Sequence, residues 1–344
     1  MFRIIQKRKI WYSFSLVLTV ASLLSLIFWG LNLGIDFTGG SILELKFTDR
    51  ALSNDEISSA LSGLQLPYLN VQPTSNNGVI LKTKTLTEQE HQDIIIKLLG
   101  AFDADAVKAA GEVEISPESL GLSGEGLENV KITTSAADAG LAGLNQAVVS
   151  KYFEELRFDS IGPTIGRELK SKAFYSIILV SLAIILYLAY TFRKISYPVE
   201  SWKYGVSAVI ALIHDILIVT GIFSVLGHFL GYQIDSLFVT ALLTILGFSV
   251  HDTIVTFDRI RENLKHHEDK TFEELINDSI NQTIVRSINT SMTAIYVLIT
   301  IYLFGGHTIR HFVLALVLGV TFGTYSSIFI ASPLLLFWYK LKKF

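Results

Sequence analysis

Ionisable side chains interrupt stretches of this sequence that are otherwise apolar. His214 and Asp215 lie near the middle of one such stretch, and His251 and Asp252 lie in the next. A charged group at bilayer depth is costly, so each one needs a partner or a water-filled cavity. Carboxylates in this setting are typical of proton relays, and the two pairs therefore point to work driven by an ion gradient.

Helical periodicity divides the polar residues around Asp252 between two faces. Ser249, Asp252 and Thr256 share one face of a helix, because residues three and four apart are neighbours. His251 is rotated by about 100° from Asp252. The pattern predicts that His251 and Asp252 do not both face one partner.

The next apolar stretch carries a polar stripe at helical spacing. Its members are Arg286, Asn289, Thr290, Thr293, Tyr296 and Thr300. Such a stripe should face protein or water. A bundle that brings it near Asp252 would bring together a carboxylate, a guanidinium and hydroxyls, and we predict a proton relay centred on Asp252 and Arg286.

Structural roles are the alternative for each of these groups. Arg286 lies close enough to a predicted membrane surface to snorkel, and Asp252 could make only a structural ion pair. For Asp215 and the two histidines, helix packing or hydrogen bonding is favoured over proton carriage. The secondary polar residues of the membrane are Asp215, His214, His251, Asn289 and Thr256. The two His–Asp pairs show no recognised metal spacing, so neither a metal nor another cofactor is expected.

No motif of a soluble enzyme accompanies these residues. The chain has no cysteine, which excludes disulfides and thiolate metal sites. The glycine pairs near Gly39 and Gly305 lack the lysine of a phosphate-binding loop. Basic residues flank the apolar stretches and form no continuous patch. The sequence therefore predicts no enzymatic activity and no nucleic-acid partner.

Six apolar stretches are long enough to cross a bilayer as helices. Half of the residues are hydrophobic and 17% are charged, which is typical of a multi-pass membrane protein. The predicted spans are 10–31, 173–192, 204–226, 236–257, 288–304 and 312–338. The first is too long for a signal-peptide core and no cleavage site follows it, so we expect it to be retained. Gly319 and Gly323 in the last span predict close helix packing.

Positive charge predicts the orientation of the spans. The basic residues on the side of the N-terminus include Arg193, Lys194, Lys203, Arg259, Arg261, Lys265, Lys270, Lys340, Lys342 and Lys343. The short loops on the opposite side carry only Arg310. By the positive-inside rule, both termini are predicted to be cytoplasmic.

Residues 32–172 are then predicted to form one small domain outside the cytoplasm. Strands are predicted at 41–47, 68–72, 79–83 and 152–158, and helices at 54–62, opened by an Asn cap, and 87–99. This order is a split βαβ, or ferredoxin-like, pattern. The Ala-, Gly- and Ser-rich stretch at 101–147 is predicted to be an insertion with its own short helices. The chain would thus comprise a first span (1–31), an external α+β domain (32–172) and five further spans (173–344).

Short motifs occur in a fixed order along nearly the whole chain. GIDFTGG at 34–40 follows the first span, and FDSIGPTIG at 158–166 precedes the second. ALIHD at 211–215 lies in the third span, HDTIV at 251–255 with DRIREN at 258–263 in the fourth, and LFGG at 303–306 closes the fifth. The ordered set resembles the SecF members of the SecD/SecF family of protein-export membrane proteins, within the RND-like superfamily. The motif residues after the first span are Gly34, Asp36, Gly39 and Gly40.

This resemblance implies an accessory subunit of the Sec translocase in the bacterial inner membrane, with six helices forming an RND-like half-bundle. Such a subunit pairs with SecD, associates with the SecYEG channel, contacts lipid and the translocating polypeptide, and uses the proton motive force. Asp252 falls on the family's fourth-span carboxylate and Arg286 on its fifth-span arginine, both implicated in proton transport. His251 stands where the family has Asn.

Two other functions share this architecture. Half of an RND-like exporter would carry a small molecule or lipid through its own spans, although the ordered motifs favour protein export. A structural scaffold for the channel would tolerate substitution of Asp252 and Arg286. Proton and sodium gradients are both compatible with these residues.

Overall fold

The chain divides into two compact units. The computed structural model describes residues 2–48, 50, 52–74, 77–103, 146–193, 199–266 and 270–341. Met1–Gly34 and Leu169–Phe344 form one unit, here called the membrane unit, and Ile35–Glu168 forms the other, here called the sheet unit. The central part of the predicted insertion, residues 104–145, lies outside the described residues.

The predicted membrane helices are confirmed. Within the described residues, six helices are long and apolar enough to cross a bilayer, numbered here as the first to sixth spans: Arg8–Phe28, Pro163–Thr191, Ser201–Leu230, Ser236–His266, Phe272–Phe304 and Thr308–Leu341. Several of these helices extend past the apolar stretches that predicted them. The fifth begins at Phe272, well before the predicted start, because Thr271 and Glu274 form a capping box there.

The sixth span contains an irregular turn. An α-helix, His307–Ser326, leads into a π turn, Ser327–Ala331, followed by a second helix, Ser332–Leu341. Pro333 accounts for the irregularity, because proline inside a helix lacks an N–H and crowds the carbonyl one turn earlier. The Ser332 hydroxyl donates to the Ser327 carbonyl at 3.0 Å across this turn.

Three glycines allow two spans to approach the helices they pack against. A Cβ atom on Gly319 would lie 2.2 Å from the Ile245 side chain, and one on Gly323 would lie 2.9 Å from Ser249 Cβ. The predicted close packing of the sixth span is thus confirmed, and its neighbour is the fourth span. Gly221 of the third span lies equally close to the first span, where a Cβ would be 2.3 Å from that of Ser22.

The sheet unit has the predicted ferredoxin-like order. Its strands are β1 (Gly40–Phe47), β2 (Asn70–Thr74), β3 (Gly78–Thr83) and β4 (Phe153–Ile161), and they form an antiparallel sheet in the order β2-β3-β1-β4. Helices Asn54–Leu61 and Glu88–Phe102 follow β1 and β3. Two short helices, Ile35–Thr38 and Gln146–Tyr152, precede β1 and β4.

Apolar side chains of the sheet and the two longer helices form the core of this unit. Leu43, Leu45 and Phe47 alternate along β1 and are buried, as a half-covered strand requires. The first helix is capped by Ser53 and not, as predicted, by Asn54. Ser53 Oγ accepts a hydrogen bond from the backbone N–H of Glu56, and the Glu56 carboxylate accepts one from the Ser53 N–H. These two residues form a capping box, which begins one residue before the predicted cap.

Candidate functional site

Asp252 lies near the middle of the fourth span and faces the interior of the bundle. Only 3% of its surface is exposed. Its Oδ2 atom accepts hydrogen bonds from Ser291 Oγ at 3.4 Å and from Thr324 Oγ1 at 3.3 Å. Ser287 also lies beside this carboxylate, and Ser291 and Thr324 bond to each other. Hydroxyls of the fifth and sixth spans therefore surround the carboxylate.

Two of these hydroxyls belong to a buried ladder on the fifth span that sequence reasoning missed. Its members recur at every fourth residue and are Ser279, Thr283, Ser287 and Ser291. Asn263 of the fourth span donates to Ser279 Oγ at 2.8 Å. A row of polar groups thus leads from Asn263 to Asp252. The available signal was the constant four-residue spacing, which keeps small hydroxyls on one helix face.

The predicted stripe on the fifth span lies on a different face. Its members are exposed on the surface of this chain: Arg286, Asn289, Thr290, Thr293, Tyr296 and Thr300. Within the described residues, the hydrogen bonds to the Asp252 carboxylate come from Ser291 and Thr324 and not from Arg286. The structure therefore does not bring the stripe to Asp252 within this chain. Consecutive helical residues point about 100° apart, and Ser287, not Arg286, takes the inward direction.

The other fourth-span residues divide between the two sides of the helix as predicted. Ser249, Asp252 and Thr256 are buried, whereas His251 is exposed. The Thr256 hydroxyl donates to the Asp252 backbone carbonyl at 3.2 Å and so does not act on the carboxylate. His251 and Asp252 therefore do not both face one partner, as predicted.

Asp215 forms a second buried cluster with His214. The side chain of Asp215 is fully buried. Its Oδ2 atom accepts hydrogen bonds from the hydroxyls of Ser249 and Ser326, each at 2.7 Å. Its Oδ1 atom lies 3.0 Å from His214 Nδ1. The third, fourth and sixth spans therefore meet at this carboxylate.

Further hydroxyls adjoin the Asp215 cluster. Ser327, at the start of the π turn, donates to the Ser249 carbonyl at 3.2 Å and lies 2.8 Å from the Thr253 hydroxyl. Ser249 in turn bonds to Asp215.

Within the part of the chain that the structure describes, no group of three or more His, Cys, Asp or Glu side chains is placed to hold a metal ion.

The glycine motif after the first span is a backbone junction. Gly39 and Gly40 have φ values of +77° and +130°, which side chains other than hydrogen disfavour. A Cβ on Gly39 would lie 2.9 Å from Pro163 Cα. The Gly34 N–H donates to the Ile234 carbonyl at 2.8 Å, and Asp36 lies in the first turn of the short Ile35–Thr38 helix. The backbone at Gly39 and Gly40 therefore has no room for a larger side chain.

Comparison with known proteins identifies the family. The sequence profile of "Protein export membrane protein SecD/SecF, C-terminal" matches residues 143–341, and that of the "SecD/SecF GG Motif" matches residues 25–49. Protein translocase subunit SecF of Thermobaculum terrenum is 39% identical over 98% of this chain and 94% of its own length. Protein translocase subunit SecDF of Bacillus subtilis is 30% identical and covers 96% of this chain.

A solved structure supports the same assignment. SecDF from Thermus thermophilus, described as a translocon-associated membrane protein, superposes on 98% of this chain with a TM-score of 0.71 and 26% sequence identity. The chain spans 39% of that protein and 37% of the B. subtilis SecDF. This chain, a membrane protein with six candidate spans, therefore belongs to the SecD/SecF family of protein-export membrane proteins.

Proposed function

We propose that this chain is the SecF-type subunit of an inner-membrane accessory complex. In this proposal it works with a SecD-type partner and the SecYEG channel, and it uses the proton motive force at Asp252 to assist polypeptide export. It acts as a transport subunit and not as an enzyme. The observation that carries the proposal is a carboxylate buried near the middle of the fourth span whose partners are hydroxyls.

The surroundings of Asp252 support a change of charge at this position. An ionised carboxylate buried without a cation is costly, since hydroxyls replace only part of its hydration. Uptake of a proton removes that charge. Ser291 and Thr324 bond to the same oxygen of Asp252, so a change of its protonation alters contacts with both the fifth and the sixth span. A proton gradient would thereby act on helix packing.

Export by inverted membrane vesicles tests this role. Asp252→Asn keeps the size and polarity of the side chain and removes its titration. We expect the variant to insert and to co-purify with the SecD-type partner, while the gradient-dependent part of export is lost. Asp278→Asn is the matched control, because Asp278 lies near the start of the fifth helix and pairs with Lys270.

The two gradients are imposed separately in this assay. Loss of the proton-driven component alone supports proton coupling, and loss of the sodium-driven component alone assigns the role to sodium. Normal gradient-dependent export by Asp252→Asn would remove the proposed role altogether and leave the scaffold function.

The exposed stripe on the fifth span supports a SecD-type partner. Arg286, Asn289, Thr293 and Thr300 recur on one face at membrane depth and face away from this chain. Polar and charged side chains in a bilayer normally face protein or a water-filled cavity. Because this chain spans little more than a third of the two SecDF proteins, we assign the stripe to the contact with the remaining membrane helices.

Cross-linking tests the assigned contact. The chain has no cysteine, so Thr293→Cys introduces a single reactive position on the stripe. We expect it to cross-link to a SecD-type partner that carries single cysteines along its membrane helices. Leu179→Cys, on the exposed face of the second span, is the control. Cross-linking from Leu179 but not from Thr293 would place the partner elsewhere.

The same cysteine-free background tests the orientation. Glu154→Cys lies in the sheet unit and Lys265→Cys near the end of the fourth helix, both at exposed positions. With both termini in the cytoplasm, a membrane-impermeant maleimide should label the first in intact spheroplasts and the second only after permeabilisation. The reverse result would invert the proposed topology.

A further inference from the structure

The third span holds an acidic group that the proposed function does not use. Asp215 is as deeply buried as Asp252, and its two oxygens together meet Ser249, Ser326 and His214. Within the described residues no lysine or arginine pairs with it, and its ion-pair partner is His214. Among those residues, the group beside Asp215 that can carry a compensating positive charge is therefore the imidazole of His214.

One nitrogen of that imidazole has no partner. His214 Nδ1 faces Asp215 Oδ1, but His214 Nε2 is buried and makes no hydrogen bond within the described residues. When Nδ1 carries a proton and donates it to Asp215, Nε2 presents a free lone pair. Protonation of Nε2 makes the ring a cation, which balances the buried carboxylate. His214 Nε2, which is buried without a hydrogen-bond partner beside the Asp215 carboxylate, can therefore bind a proton.

The elements packed around this pair bring few other ionisable groups. The fourth span presents Ser249, and its own carboxylate, Asp252, bonds instead to Ser291 and Thr324. The sixth span presents Ser326 and the ring of Tyr325, whose centroid lies 6.5 Å from that of His214.

The first span engages the Tyr325 hydroxyl. That hydroxyl donates to the Trp11 carbonyl and lies 3.1 Å from Ser15 Oγ. This titratable neighbour of the pair is thus already hydrogen-bonded to another helix. His214 and Asp215 are left to balance each other's charge.

We propose that His214 and Asp215 form a second proton-binding site of the membrane unit, with the proton taken up at His214 Nε2 and its charge balanced by Asp215. This site goes beyond the proposed function, which assigns proton uptake to Asp252 alone.

Both carboxylates accept hydrogen bonds from the sixth span. Thr324 bonds to Asp252, and Ser326, two residues further along the sixth span, bonds to Asp215. The π turn begins at the next residue, Ser327. A change of protonation at either carboxylate therefore alters a contact of the same helical turn, and the second site can influence the first through the sixth span.

Nuclear magnetic resonance of the full-length chain in lipid nanodiscs tests the site. Histidine side chains are labelled with ¹⁵N, and His214→Gln identifies the His214 signals by their loss. We expect the His214 signals to show uptake of a proton at Nε2 as the pH is lowered. Asp215→Asn should lower the midpoint by at least about one pH unit, a tenfold loss of proton affinity. His228→Gln, on the same span, is the control and should leave the His214 midpoint unchanged.

Infrared spectroscopy covers the case in which Asp215→Asn does not fold. In His214→Gln the compensating imidazole is gone, so Asp215 should be protonated and add a carboxylic acid C=O band that the wild type lacks at the same pH. A His214 ring that stays neutral throughout the titration overturns the proposal, as does an unchanged midpoint in a folded Asp215→Asn variant or the absence of the new band. Both measurements follow proton binding directly, so they are independent of the export assay.

Discussion

The membrane unit and the sheet unit place their polar side chains differently. In the sheet unit, apolar residues such as Leu45 and Leu98 fill the interior, and ion pairs such as Lys84–Glu90 lie at the surface. In the membrane unit, apolar residues such as Leu179 cover the exterior, whereas Asp252 and its hydroxyl partners lie inside. Burial of apolar side chains drives folding in water. In a bilayer the lipid tails are equally apolar, so the hydrophobic effect does not drive helices together. Buried polarity is therefore a stronger functional signal in the membrane unit.

Two buried histidines sharpen this contrast. In the sheet unit, His91 stacks on Phe158 with ring centroids 3.9 Å apart, and its two ring nitrogens lie 3.4 Å from Glu88 and 3.2 Å from Glu155. In the membrane unit, His214 uses one nitrogen and leaves the other without a partner. Because both ring nitrogens of His91 have partners, we infer a structural role for it. The second ring nitrogen of His214 has none, so it can accept a proton.

The largest expected effect is on the apolar core of the sheet unit. Phe47 is buried against Phe102 and Phe153. Phe47→Ala should lower the unfolding free energy of this unit by about 3–5 kcal/mol, because it removes apolar contacts and leaves a cavity. Hydrogen exchange of the full-length chain, read on sheet-unit peptides, measures this. Leu156→Ala, at a half-exposed position on β4, is the control, and an equal loss there would contradict the core assignment.

A smaller loss is expected from tight packing between membrane helices. Gly221→Ala places a methyl group 2.5 Å from Ser22 Cα, so the first and third spans must separate, at a cost of about 1–3 kcal/mol. The four tryptophans lie at 11, 29, 202 and 338, all in the membrane unit, and their fluorescence during unfolding in mixed micelles reports its stability. Gly247→Ala meets nothing within 4 Å and should be neutral. A neutral Gly221→Ala would rule out the close approach.

Removal of one polar contact in the membrane unit should lower its unfolding free energy by a still smaller amount. Ser291→Ala deletes a hydroxyl that bonds to Asp252 and Thr324. Hydrogen bonds between membrane helices average about 0.6 kcal/mol, so the variant should unfold almost like the wild type in the same fluorescence measurement. Thr321→Ala removes an exposed hydroxyl of the sixth span and is the control. A loss as large as that of Phe47→Ala would show that buried polarity is the main source of stability.

The smallest expected effect is a pH dependence of the sheet unit, since titration of His91 removes no packing. Burial of the His91 ring lowers its pKa, but its contacts with Glu155 and Glu88 raise it and prevail, so the folded-state pKa is raised. The resulting stabilisation is complete below the ordinary histidine pKa of about 6.5 and disappears as pH rises through the raised value. Hydrogen exchange corrected for intrinsic rates should show this decline, and His91→Gln should flatten it. An unchanged slope in that variant would assign the decline to another group.

Most of the fold followed from local patterns. The lengths of the apolar stretches predicted all six spans, and alternating apolar residues bounded by turns predicted the strands of the ferredoxin-like order. Errors concentrated at helix ends. Ser53 and Asn54 both suit a cap by residue type, and the choice depended on which of them lies three residues before Glu56.

The candidate site was only partly predictable. Asp252 and Asp215 stand out in sequence because a carboxylate at bilayer depth is rare. Serine and threonine do not stand out, since their hydroxyls can bond to the carbonyl four residues earlier, as Thr283 does with Ser279. The partners Ser291 and Thr324 and the neighbouring Ser287 were therefore missed, and the more polar Arg286 stripe was predicted in their place.

The sequence by itself determined that this is a six-span membrane protein with acidic groups inside it, because helix length and the cost of buried charge depend on local composition. Only the tertiary structure decided which face of the fifth span meets Asp252. Arg286 and Ser287 differ by one position, and the rotation of that helix about its axis depends on how the fourth and sixth spans pack against it. That rotation placed the hydroxyl ladder inside and the arginine outside.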